Sequence, residues 1–145
     1  MDDVLAYLEL KNRYYDKFLS ITEKFLVGAR HNKWEGLELF VDSRERILNI
    51  IRSFDFKIAQ CFEKSKLNNQ QIEFYRPQVK DLLDHRDGLV SKIVNADLEL
   101  VQHLEEVRSE TIRDLKRTIS VGQKIQTFAE ESEAPEIRKQ FKHSA

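Results

Sequence analysis

The side chains best equipped for chemistry are four histidines, His31, His85, His103 and His143, and a single cysteine, Cys61. If the chain is helical where they lie, Asp81 sits one turn from His85, and Glu99 one turn from His103. Two carboxylate–imidazole pairs brought together would hold a metal ion, whereas kept apart they are surface pairs. The sequence favours the second reading, because it contains neither H-E-x-x-H nor the Glu-x-x-His pairs of di-iron bundles. Cys61 lies in the stretch FKIAQCF and reads as a small buried hydrophobe rather than a nucleophile. There is no Gly-rich phosphate loop and no G-x-S-x-G. No catalytic residue, cofactor or metal is expected, and the chain is not expected to be an enzyme.

What must position these residues is helical. Four glycines and two prolines in 145 residues, with 34% charged side chains, suit long amphipathic helices and leave little room for hairpins. A first helix is expected from about Asp2 to Arg30, with Val4, Leu5, Leu8, Tyr15, Phe18, Leu19, Ile21, Phe25 and Leu26 on one face. GARHNK breaks it. Asn32 and Glu35 have the spacing of a capping box and predict that a second helix starts there. Its stripe is Trp34, Leu37, Val41, Leu48, Ile51, Ile58 and Phe62, with two polar slots at Arg44 and Asp55.

The polar break EKSKLNNQQ predicts the next turn. Pro77 is read either as the first position of a third helix or as a kink within a longer one. The stripe from Val79 to Phe128 then predicts about fifty continuous helical residues, roughly 75 Å, projecting beyond the other two helices. Asp97 falls in line with Ile93, Val101 and Leu104. It is either at the margin of that stripe or a buried carboxylate whose natural partner is Arg44. The acidic run EESEAP reads as a linker, followed by a short helical tail carrying Ile137 and Phe141. The expected fold is all-α: an elongated antiparallel three-helix bundle with a long third helix over residues 1–130, and a linker and short C-terminal helical tail over 131–145.

The net charge of −1, without a basic face interleaved with aromatics, gives no expectation of nucleic-acid binding. No window is long and apolar enough to predict membrane insertion, MDDVLAYLEL lacks the features of a signal peptide, and one cysteine makes no intrachain disulfide. A cytoplasmic location is expected.

The stretch KWEGLELFVDSRERIL resembles the signature of the FliT/FlgN-type flagellar export chaperones. In that family a Trp opens the second helix, followed by apolar residues and a polar or Arg position. Here these are Trp34, Leu37, Val41, Arg44 and Leu48. The stretch from Ile93 to Phe128 is similar to the filament-cap branch of the family, with Ile93, Asp97, Leu104, Arg108 and Lys124 at matching places.

The resemblance implies a cytoplasmic chaperone that binds a flagellar axial protein, the filament cap or a hook–filament junction protein. It would prevent premature assembly and deliver its cargo to the type III export apparatus. It also implies that Phe128, at the place of a family tyrosine, docks to an export-gate component, and that the C-terminal tail regulates cargo binding. The groove is expected on the long helix, at Val101, Leu104, Ile112, Leu115 and Ile119; the alternative is that these residues only close the bundle or a homodimer seam. A helical adaptor without an export role is the other reading of the whole chain.

Overall fold

The computed structural model describes residues 1–107, 115–117, 119–120 and 123–126. Three helices form an all-α bundle: α1 (Asp2–Arg30), α2 (Leu37–Ser65) and α3 (Asn69–Glu105), with no strand among the described residues. Helix α1 packs along both others, whereas α2 and α3 meet at fewer points. Cross-contacts set the register. Tyr7 and Tyr14 of α1 lie against Phe54 of α2, and Phe25 stacks on Phe40 at 4.3 Å. Between α1 and α3, the Asn12 amide donates to the Leu82 carbonyl and Arg30 reaches Glu99.

Helix α1 ends in a Schellman turn. The Lys33 amide donates to the Gly28 carbonyl and the Asn32 amide to that of Ala29. Asn32 takes the left-handed position at φ 57°, which Gly usually fills and Asn tolerates. A Cβ on Gly28 would lie 3.2 Å from the Lys33 carbonyl oxygen, so the return of the chain presses on that position.

The second helix starts later than the sequence predicts. Its N-cap is Gly36, at φ 80°, and no side chain caps it. Asn32 is already committed to ending α1, so the expected Asn32–Glu35 box does not form. Trp34 therefore lies in the connection between the helices rather than opening α2. Its ring is 5.9 Å from that of Phe25, and its Nε1 donates to Asn32 Oδ1 at 3.0 Å.

A capping box does occur at α3, where Asn68 accepts from the Gln71 amide and the Gln71 side chain accepts from the Asn68 amide. Pro77 is therefore inside α3, not at its start. Pro77 and Glu73 are both exposed, so the Glu73 carbonyl, which loses its helical partner to Pro77, can turn to solvent.

Helix α3 spans 37 residues, about 55 Å rather than the expected 75 Å. It stops at Glu105, and the Val107 amide closes a turn on the Leu104 carbonyl. Residues 115–117, 119–120 and 123–126 are helical again.

Three apolar clusters fill the bundle. Val4, Leu8, Ile58, Val79 and Leu83 close the end where α2 turns into α3. Tyr15, Phe18, Ile47, Ile51, Val90 and Ile93 form the middle, and Leu26, Leu37, Phe40, Val41, Leu100 and Leu104 the opposite end.

Candidate functional site

Leu115 belongs to the end cluster with Leu37, Val41, Leu100 and Leu104, and Ile119 packs against that cluster. Ile125 belongs to the middle cluster with Ile47, Leu48, Val90 and Ile93. From 115 to 125 the chain thus moves back from the end of the bundle to its middle. Leu115 and Ile125 are fully buried in clusters to which α1, α2 and α3 all contribute. Helices α2 and α3 touch each other little, which leaves room for these residues beside them. Arg117 approaches Glu45 on the outer edge of α2 at 3.9 Å.

This placement changes the geometry of the expected groove. Leu104 and Leu115 are buried core residues, Val101 and Ile119 are half-buried, and none projects past the bundle. The apolar trough runs between α2 and α3, and a helical segment of the chain itself lies in it. Ile112 and Arg108 lie outside the described residues, as do Phe128 and the tail residues Ile137 and Phe141.

Beneath this segment lies the buried pair. Arg44 donates from Nη1 to Asp97 Oδ1 at 2.7 Å and from Nη2 to Oδ2 at 2.8 Å. Arg44 is 1% exposed and Asp97 3%. The guanidinium carbon lies 4.2 Å from the Phe18 ring centroid and 5.1 Å from that of Phe40, so its faces rest on aromatic rings from α1 and α2. Burial pushes the Asp97 carboxyl above the usual carboxylate range, and the two bonds from Arg44 pull it back. A planar fork facing a planar carboxylate fixes both distance and rotation of α2 against α3. Of the two sequence readings of Asp97, the structure shows the buried one.

A second buried pair, Lys11–Asp55, joins α1 to α2. Asp55 was visible as a polar slot, but Lys11 was not singled out. The signal for it was the seven-residue gap between Leu8 and Tyr15, which Lys11 and Asn12 occupy on the buried face.

On the surface, Arg30 grips Glu99 with Nε at 2.7 Å and Nη2 at 2.9 Å, and His103 lies 3.0 Å from the same carboxylate. These partners, Arg30 foremost, bring the Glu99 carboxyl down to about 2. Asp81 and His85 are exposed lower on α3, so the two histidine pairs do not converge. Among the described residues no group of three His, Cys, Asp or Glu is placed to hold a metal. Cys61 is half-buried against the cluster at the α2–α3 turn. Among the described residues no helix is long and apolar enough to cross a membrane.

Comparison with family models, with curated proteins and with solved structures finds no match for this chain. The resemblance to the flagellar export chaperones therefore rests on the residues quoted for it, of which Trp34, Leu37, Val41, Arg44, Leu48 and Asp97 all lie on or beside the interface of α1, α2 and α3.

Proposed function

We propose that the protein is a non-enzymatic helix-binding chaperone of the cytoplasm. In this reading it holds a terminal amphipathic helix of a flagellar axial protein, foremost the filament cap, in the trough between α2 and α3. Delivery to the export gate, with Phe128 as a docking residue and the tail as a regulator, is part of the same reading. The observation that carries it is that Leu115 and Ile125, from the helical residues described beyond α3, are buried in the end and middle clusters of the bundle. A trough that accepts one such helix offers the same apolar pockets to another. The Tyr7–Phe54, Phe25–Phe40 and Arg44–Asp97 contacts support an up–down–up arrangement, α2 running against α1 and α3. That arrangement leaves one long side of α2 and α3 to be covered. The polar core residues support a binding rather than a catalytic role, because they face one another as ion pairs rather than into a cavity.

Loosening the resident segment while leaving α1–α3 intact tests the reading. Leu115→Ser should increase binding of a labelled terminal segment of the cap protein several-fold and raise the fluorescence of an apolar dye. Equal and weak binding of the cap segment and a scrambled control by both forms would sink the proposal.

A further inference from the structure

A second surface lies on the other side of α2. Along α1 the residues Leu10, Lys17 and Lys24 recur every seven positions, and along α2 the same step joins Ile50, Lys57 and Lys64. A seven-residue step returns to nearly the same face of a helix. These residues flank the α1–α2 seam, whose floor is the ring cluster of Tyr7, Tyr14 and Phe54. Lys17 lies over the Tyr14 ring at 5.9 Å, and Lys57 over both Tyr7 and Phe54 at 5.7 Å. A shallow depression of about 270 Å³ opens there beside Leu10, Arg13, Tyr14 and Lys17. Ile50 and Leu39 are exposed along the same seam. Among the described residues Lys17, Lys24, Arg46 and Lys57 form no ion pair.

We infer that this seam docks an acidic amphipathic helix of a partner protein. The cations supply the rims and the aromatic and aliphatic side chains the floor. From Tyr7 to Lys24 the seam is about 25 Å long, the length of a helix of some seventeen residues. Two neighbouring helix axes lie 8–10 Å apart, so the furrow between them seats a third helix. The seven-residue repeat of the cations matches the repeat of acids along a helix laid in it.

The surroundings of the seam argue against a lipid surface or a nucleic acid. Asp2, Glu9, Asp16 and Glu23 recur at the same step along α1, each about 100° round the helix from the line of Leu10, Lys17 and Lys24, and Asp42 lies beside the strip on α2. A flat anionic membrane or a duplex is wider than the furrow and would meet these acids. A single helix need not. The inference does not depend on what occupies the trough between α2 and α3.

The test uses the full chain and a fluorescein-labelled peptide of about eighteen residues, with Leu on one face and Glu in the flanking heptad positions. In low salt the peptide is expected to bind with a Kd below about 100 µM, and a scrambled peptide of equal composition at least tenfold more weakly. Reversal of charge in the double variant Lys17→Glu, Lys57→Glu should weaken binding at least about tenfold, and added salt should weaken the wild type. The neutral double variant Lys17→Gln, Lys57→Gln should fall between. It carries the comparison if the reversed one melts early. Absence of binding, equal binding by scrambled peptide or by the variants, or tighter binding of phosphatidylglycerol vesicles or duplex DNA through the same lysines would each overturn the inference.

Discussion

Helix α2 carries two buried charges three turns apart on one face, and they are solved differently. Arg44 meets Asp97 of α3 as a fork on a carboxylate, held between Phe18 and Phe40. Asp55 meets Lys11 of α1, whose ammonium also lies 5.7 Å from the Tyr15 ring. The first pair is planar and two-pronged, so it specifies rotation as well as distance. The second sets a point charge on a flexible stem against a carboxylate, so it specifies distance more than rotation. The first also lies where α2 and α3 are otherwise least in contact, and there it is a principal link between them. The second sits within the continuous α1–α2 seam, where apolar neighbours already set the register.

The largest effect should come from breaking the two-pronged pair. Asp97→Ala leaves a guanidinium buried that cannot shed its proton, and should cost about 3–5 kcal/mol in denaturant unfolding. Replacing both partners with Met and Leu should recover most of that loss. If the double variant is as unstable as the single one, the loss comes from the missing fork itself rather than from an orphaned charge.

Lys11→Met should cost less, on the order of 2 kcal/mol, because Asp55 can take up a proton when its partner is removed. A loss as large as that of Asp97→Ala would erase the contrast. A double-mutant cycle sharpens it further: Arg44 and Asp97 should couple by more than about 1 kcal/mol, and Lys11 and Asp55 by less.

The smallest effect belongs to the exposed clamp on Glu99. Its carboxyl titrates at about 2 when folded and near 4.3 when unfolded. The clamp's contribution is therefore present above the unfolded value and fades as pH falls from about 4.5 towards 2. Glu99→Gln should flatten the pH dependence of stability in that window, and salt should shrink the difference. An unchanged acid profile in the variant would assign acid sensitivity to other groups.

The existence and face of α1 and α2 were legible because their apolar residues keep one period from end to end. Arg44, Asp55 and Asp97 were legible as interruptions of stripes, although the stripe alone did not say whether Asp97 was buried. The end of α3 was not legible. No Gly or Pro marks Glu105, and the returning residues Leu115, Ile119 and Ile125 keep the period of the helix they fold against. Periodicity reports which face is buried, not whether the chain has reversed before burying it. A capping box is expected at Asn32 and Glu35 on their spacing, a spacing that Asn68 and Gln71 share. The competing demand of the α1 Schellman turn on Asn32 appears only in three dimensions. The lysine–aromatic seam escaped notice for a related reason: half of it comes from each of two helices.

The return of Leu115 and Ile125 to the bundle also has a meaning in time. Helices α1 to α3 are made first. The segment that fills the trough is synthesised after all three. At roughly 5–20 residues per second, Ile125 leaves the ribosome about 1–4 s after Glu105. Through that interval a growing chain presents its trough unfilled, and a foreign helix arriving then competes with nothing. On the proposed chaperone reading, binding during synthesis and binding after release would be two different reactions, the first a simple association and the second an exchange.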